Sequence, residues 1–315
     1  MDKVIFLGTS AGIPTPNRNV PAVALIFEGT NEFWLFDCGE GTQRQLQKTS
    51  LKLSKLTNIF ISHLHGDHIF GLPGLLATRG MLGIKSGINI FGPVGLDNYL
   101  KSSFDYSHTY IPYSYCFHPI KKEEFAAENL VWEKGDTAVY CALLNHQIDS
   151  YGFAVIRTNI KRNILVEKLV KAGLPPGPAY KKFKEDGIVK LADGRVLTSE
   201  EFIMESANVK KFCYCGDTTL SLNTVSLSDG ADLLIHEATF CADKKEKALE
   251  GYHSTVDDAL KVAKLAKVKK LVLTHISPRY DNVTQQCLEY DGLKEKMIKE
   301  GLIVALAEDF GEVKI

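Results

Sequence analysis

No stretch of about 18 consecutive apolar residues occurs in this chain, which excludes a membrane-spanning helix. Net charge is nearly absent as well: 37 Lys+Arg stand against 38 Asp+Glu, so any polyanion has to be met by a local patch. Charged residues make up only 24 %, and the 25 Gly and 11 Pro follow no period, which removes collagen, coiled coil and intrinsic disorder. The seven cysteines are odd in number and form no regular framework. They read mostly as small buried hydrophobes of a reducing compartment. Met1-Asp2-Lys3 leads into an apolar stretch that Gly8 cuts too early for a secretory signal, so a cytoplasmic protein is expected. Internal repeats of about 20–50 residues are missing too, which excludes a solenoid.

What is present is 315 residues with 45 % apolar side chains, enough for one large domain built of two β-rich halves, about 1–140 and 141–315. Val4–Leu7, Val23–Phe27, Phe33–Phe36 and Ile59–Ser62 are β-prone apolar runs, the middle two reading as a hairpin around Gly29-Thr30-Asn31. Strand signals recur at 88–91, 138–144, 153–156, 211–215, 233–235, 270–274 and 303–307. Helices are predicted at 40–48, 69–81, 94–101 and 255–267. The last opens on Ser254 with Asp257 three residues on, a capping-box pattern. Strands apolar throughout are covered on one or both faces, which points to a layered α/β fold.

One segment departs from the neutral average. Residues 157–190 carry nine basic side chains, Lys161, Arg162, Lys181, Lys182 and Lys184 among them, against three acidic ones. Its centre, Gly173-Leu174-Pro175-Pro176-Gly177-Pro178, cannot lie inside a helix or a central strand. The segment is a surface loop or a projecting arm.

The densest chemistry is Ser62-His63-Leu64-His65-Gly66-Asp67-His68, directly after an apolar strand. Imidazoles with a carboxylate and no thiolate suit Zn²⁺ or a similar divalent ion. Four donors do not complete two sites, and the missing ones should follow other strands, because α/β sites gather at strand carboxyl ends. His146, Asp217 and His275 each do so. The arrangement that uses all of them gives His63, His65 and His146 to one ion and Asp67, His68 and His275 to a second, with Asp217 bridging.

These residues resemble the metallo-β-lactamase fold superfamily and, within it, the ribonuclease Z family of transfer-RNA 3′-processing endonucleases. The likeness extends over essentially the full length. Besides the histidine turn it rests on Gly8–Thr15 with Arg18-Asn19, Phe36–Gln43, Gly216-Asp217-Thr218, His236–Phe240, His253-Ser254-Thr255, His275–Tyr280 and Ala307–Phe310. The resemblance implies a four-layer αβ/βα sandwich, two Zn²⁺ (or Mn²⁺) ions on the ligands named above, a homodimer, and a basic arm that grips precursor transfer RNA. The arm role falls on about 157–190, with Gly177-Pro178 as its Gly-Pro element. Neither membrane nor DNA is expected as a partner.

Catalysis is expected from Asp67, which orients or deprotonates the nucleophile, and from His253, just before a capped helix, with Glu237 hydrogen-bonded to it. Asp37, Ser62 and Thr274 read as braces behind the ligands. Arg18, Asn19, Arg279 and Tyr280 read as contacts to RNA or as walls of its pocket. The site chemistry alone leaves two other functions open: a small-substrate dinuclear hydrolase (phosphodiesterase, thioesterase or lactonase) and an inactive RNA-binding relative.

Overall fold

The computed structural model of the chain describes residues 2–30, 32–124, 128–281, 299 and 301–315, and only the backbone of residues 124, 161 and 162. Its strands are β1 (Lys3–Gly8), β2 (Ala22–Ile26), β3 (Phe33–Phe36), β4 (Leu56–Phe60), β5 (Ile88–Pro93), β6 (Tyr115–Ile120), β7 (Glu128–Lys134), β8 (Thr137–Leu143) and β9 (Tyr151–Ile164). They continue with β10 (Ile188–Lys190), β11 (Val196–Thr198), β12 (Ile203–Cys215), β13 (Leu233–Glu237), β14 (Lys270–Thr274), β15 (Ile303–Leu306) and β16 (Glu312–Lys314). One seven-stranded sheet runs β16-β1-β2-β3-β4-β5-β6 and the other β15-β14-β13-β12-β9-β8-β7. The hairpin read from the sequence pairs β2 with β3 antiparallel, Val23 opposite Phe36. From β3 to β6, and from β12 to β15, neighbours are parallel.

Residue parity sorts these strands into layers. Phe36, Phe60 and Phe91 of the first sheet meet Val139, Phe153, Phe212, Tyr214 and Ile235 of the second in one core between the sheets. Phe36 on Phe60 and Phe60 on Phe91 stack with centroids 5.1 and 4.7 Å apart, each pair adding about 0.5–1.5 kcal/mol beyond burial. The alternate residues Ile59, Ile61 and Ile90 face outward onto Leu72, Leu75, Leu76, Leu96 and Leu100 from the helices Leu72–Met81 and Leu96–Tyr106. On the second sheet Leu234, Leu271 and Leu273 pack on Ala259, Leu260 and Ala263 of the helix Val256–Leu265. Helices outside and sheets inside make a four-layer αβ/βα sandwich.

That last helix starts one residue later than its sequence signature indicates. Thr255, not Ser254, is the cap: its side chain accepts from Asp258 N–H, and the Asp258 carboxylate accepts from Thr255 N–H. Ser254 Oγ instead donates to the Thr218 carbonyl at 2.6 Å, tying the helix entry to the loop that carries Asp217. Cys38, Cys141, Cys213 and Cys215 are buried free thiols. Cys116 is exposed and Cys241 is disulfide-bonded, the exceptions to the reading of the cysteines as mostly buried and reduced. No helix among the described residues is long and apolar enough to cross a membrane.

Gly135–Thr137 and Arg157–Lys210 form a second compact unit. It has its own small core of Leu169, Leu174, Phe183, Leu191, Leu197 and Phe202, drawn from three short helices and the β10–β11 hairpin. The basic segment at about 157–190 lies within this unit, which continues to Lys210.

Candidate metal centre

The parallel strands deliver their polar ends to one place. β4 stops at Phe60, and Ser62 and His63 follow with no exposed surface. His65 has extended backbone and caps the short helix Gly66–Ile69, so the chain reverses within a few residues and returns Asp67 and His68 to the same spot. His146 follows β8, Asp217 follows β12, Glu237 ends β13 and His275 follows β14. Three of the non-glycine residues in the left-handed region belong to this site, Asp37, Tyr252 and His275, each at φ 56°. Such conformations persist where surrounding contacts over-determine them.

Donor atoms of His63, His65, His146 and Asp217 lie within 4.8 Å of one another, as do those of Asp67, His68 and His275. A single oxygen links the groups: Asp217 Oδ2 is 3.6 Å from His63 Nε2, 3.5 Å from His68 Nε2 and 3.3 Å from His275 Nε2. Asp67 Oδ2 is 3.4 Å from both His68 Nε2 and His275 Nε2, and it accepts the Gly12 N–H at 2.9 Å. Gly12 sits at φ +72°, which a side chain would strain, so the Gly8–Gly12 loop is built to present that amide.

Hydrogen bonds fix which ring nitrogen faces inward. Ser62 Oγ donates to Asp37 Oδ2 at 2.8 Å and therefore accepts from His63 Nδ1–H at 2.9 Å. His68 Nδ1–H donates to Asp37 Oδ2 at 2.7 Å, and His146 Nδ1–H to the Tyr252 carbonyl at 2.9 Å. Thr239 Oγ1 donates to Glu237 Oε2 at 2.7 Å and accepts from His275 Nδ1–H at 2.8 Å. Each of these rings thus turns a proton-free Nε2 inward. His65 Nδ1 faces two of them, His63 Nε2 at 3.1 Å and His146 Nε2 at 3.2 Å. Its one proton can satisfy only one lone pair, and buried His68 Nε2 has no hydrogen-bond partner. Converging lone pairs of this kind fit divalent cations, which accept all of them at once.

Charge follows the same pattern. Burial first, then the neighbouring rings, disfavour protonation of His63, His65 and His146, the neutral form a ligand needs. Burial opposes ionisation of Asp67 and Asp217, but the surrounding histidines outweigh it and hold both carboxyls well below the usual range. His68 departs from that pattern: burial opposes a charge on it, but the carboxylates of Asp217, Asp37 and Asp67 outweigh burial and favour one, so its Nε2 is free as a ligand only when a cation takes the place of that proton. Beside the cluster, His253 Nδ1 is 2.9 Å from Glu237 Oε1, and Glu237 is buried. Burial lowers the affinity of His253 for a proton; Glu237 and Asp217 more than compensate, pushing it up to about 9. Positive charge held in the cluster acts in the opposite direction.

The remaining residues named from the sequence divide. Asp37 and Ser62 lie directly behind the ligands, as above. Thr274 is buried at the end of β14, where its backbone carbonyl accepts Ala238 N–H at 2.9 Å. Arg18 is buried, with Nη1 donating to Thr9 Oγ1 and the Ala307 carbonyl at 2.7 and 2.6 Å. Asn19 Nδ2 donates to the Glu40 carbonyl at 2.8 Å, so both side chains brace loops of the protein itself. Arg279 is exposed over the Phe240 ring at 5.0 Å, whereas Tyr280 packs into the core. Gly177, Pro178, Lys181, Lys182 and Lys184 are exposed in the second unit, the last three on the helix Ala179–Asp186. The side chains of Lys161 and Arg162 lie outside the described residues. At Gly216 a Cβ would lie 2.5 Å from Ser62 Cβ, so the glycine lets the end of β12 press against the histidine turn.

Three contributors escape the sequence reading. Tyr214 Oη donates to Asp37 Oδ2 at 2.6 Å from the opposite sheet, Thr239 joins Glu237 to His275, and the Tyr252 carbonyl holds His146. Strand alternation offers a signal for Tyr214 alone, since it points Tyr214 to the same side of β12 as Phe212.

Comparison with known proteins gives the family. Residues 198–276 match a beta-lactamase superfamily domain, and residues 2–104 match the family described as anti-Pycsar protein Apyc1. A ribonuclease Z of Crocosphaera subtropica is 41 % identical over 98 % of this chain and 96 % of its own length. The chain belongs to the ribonuclease Z family. A ribonuclease Z of Prochlorococcus marinus (strain MIT 9312) is 44 % identical over 88 % of each chain. Among solved structures, the short form of human tRNase Z is 34 % identical and superposes with a TM-score of 0.71, covering 100 % of this chain and 99 % of its own.

Proposed function

We propose that the chain is a metal-dependent endoribonuclease that hydrolyses precursor transfer RNA on the 3′ side of the discriminator nucleotide, leaving a 3′-hydroxyl. The observation that carries this reading is the convergence of His63, His65, His146, Asp217, Asp67, His68 and His275 on one small volume with His253 and Glu237 at its edge. Membership of the ribonuclease Z family supplies the substrate class.

His63, His65, His146 and Asp217 would hold one ion and Asp67, His68, His275 and Asp217 the other. The imidazole and carboxylate donors, without thiolate, favour Zn²⁺, with Mn²⁺ the alternative. Such ions supply Lewis acidity toward the phosphodiester and lower the pKa of water. The protein's own groups do the rest. Asp67, oriented by the Gly12 amide, takes the proton of the attacking water. His253, held through Nδ1 by Glu237, presents its other nitrogen to the leaving 3′ oxygen and protonates it. The exposed lysines of the helix Ala179–Asp186 meet transfer-RNA phosphates in a sequence-independent way, and the family resemblance supports a homodimer acting in the cytoplasm.

The test is incubation of metal-analysed protein with end-labelled precursor transfer RNA, mapping the cut to the nucleotide. The expected product ends one position after the acceptor stem with a free 3′-hydroxyl and depends on bound metal. Cleavage of small phosphodiesters with intact precursor transfer RNA left behind would overturn the reading.

A further inference from the structure

The two buried carboxylates behind the cluster are wired alike. Asp37 Oδ2 holds His68 Nδ1 directly, and it holds His63 Nδ1 through one intervening hydroxyl, Ser62 Oγ. Glu237 holds His253 Nδ1 directly through Oε1, and it holds His275 Nδ1 through one intervening hydroxyl, Thr239 Oγ1. Each carboxylate is thus a fork with a direct arm and a hydroxyl arm. Asp37 serves two ligands of the cluster. Glu237 serves one ligand and the histidine outside it.

We infer that Thr239 is a positioning residue through which Glu237 sets the tautomer of His275 at the same time as it holds His253. The inference rests on the function proposed above and deepens it. The direction of each proton follows from valence. Glu237 Oε1 also accepts Thr218 N–H at 2.9 Å, and Oε2 accepts Thr239 N–H at 3.2 Å besides the hydroxyl. With its single proton given to the carboxylate, Thr239 Oγ1 has only lone pairs left, so His275 Nδ1 carries a proton and Nε2 is the nitrogen left to serve as a metal ligand. Nε2 is the atom 3.3 Å from Asp217 Oδ2 and 3.4 Å from Asp67 Oδ2. Thr239, Glu237 and His275 are all buried, so water does not stand in for a lost hydroxyl without rearrangement. Thr239 Oγ1 also lies 3.4 Å from His253 Nδ1, so the hydroxyl stands between the two rings that the fork serves.

The position of His275 makes it dependent on such a device. Its ring packs between those of His68 and His253, centroids 5.3 and 5.4 Å away, and ring packing alone does not choose which nitrogen faces inward. The hydroxyl arm makes that choice. Removing the hydroxyl should weaken the ion held by Asp67, His68 and His275 while leaving the one held by His63, His65 and His146.

The experiment compares Thr239→Val and Thr239→Ser with the unaltered protein, measuring Zn²⁺ affinity by competition with a chromogenic chelator and precursor-RNA cleavage separated into kcat and KM. For Thr239→Val the affinity for one of two ions falls about 10- to 100-fold, kcat falls with KM unchanged, and Thr239→Ser restores both. Unchanged affinity for both ions in Thr239→Val overturns the inference, as does Thr239→Ser behaving like valine. ¹⁵N-histidine spectra of the zinc-loaded unaltered protein give a reading independent of how the valine variant folds: His275 should show a protonated Nδ1, and a protonated Nε2 overturns the assignment. An unaltered protein that takes up no zinc and leaves precursor RNA intact overturns the proposed function itself. Full cleavage by unaltered and valine proteins alike, with equal zinc affinity, sinks only the role of Thr239.

Discussion

The sandwich and the second unit use polar residues in opposite ways. In the sandwich, polar side chains are driven inside: His63, His68, Asp217, Glu237, Thr239 and His275 are all buried, with the outer Nδ1 of each of these three histidines bonded to a protein oxygen and Nε2 turned into the cluster. In the second unit the helix Ala179–Asp186 buries only Phe183 and leaves Lys181, Lys182 and Lys184 exposed. The lesson is about dielectric. Buried dipoles and charges are rigid and strong, which chemistry on a phosphodiester requires. Exposed lysines are screened and mobile, which suits a salt-sensitive grip on a polyanion. Chemistry and recognition are therefore expected to fail separately.

The largest effect should come from the sandwich. Asp217→Ala removes the oxygen shared by both donor groups, and cleavage should fall about a thousandfold or more together with loss of bound metal, measured on one preparation. Retained metal and cleavage would break the comparison at its centre. His253→Ala should lower cleavage about 10²- to 10⁴-fold while metal content stays as it was, because His253 lies at the edge of the cluster. Next comes the triple change Lys181→Ala, Lys182→Ala and Lys184→Ala. It should raise KM, leave kcat alone and make the salt dependence of binding shallower by about one for each phosphate no longer neutralised. A change in kcat would show that the two units do not divide the work as argued. Phe183→Ala should have the smallest effect on turnover of a short substrate. It costs about 3–5 kcal/mol within the small core it fills, seen as lost amide protection over 157–210 with that of the sheets unchanged.

Much of the fold was legible because burial leaves a period. The apolar runs at 211–215, 233–235 and 270–274 lie in strands, the run at 59–62 overlaps the end of β4, which stops at Phe60, and parity alone separates Phe60 from Ile59 onto opposite faces. Strands β6, β7 and β16 were not legible, since Tyr115–Ile120, Glu128–Lys134 and Glu312–Lys314 are half-exposed and mix polar with apolar residues. The helix entry at Thr255 was misread by one residue because Ser254 and Thr255 both suit a cap, and the choice falls to Ser254's competing bond with the Thr218 carbonyl. The histidine turn stood out because its donors are adjacent. Thr239 did not, because a threonine two residues past a glutamate is ordinary in sequence and distinctive only beside His275.

The sequence by itself determined the inventory: the alternation that makes layers, the nitrogen and oxygen donors after the strands, and the basic excess at 157–190. Only the tertiary structure decided which nitrogen of each ring faces inward. That choice is made by Asp37 reaching Ser62, His68 and Tyr214, by Glu237 reaching His253 and Thr239, and by the Tyr252 carbonyl. The physical reason is range. Periodicity records what one element buries, whereas a hydrogen bond between residues 37 and 214 exists only when two sheets pack at one particular register.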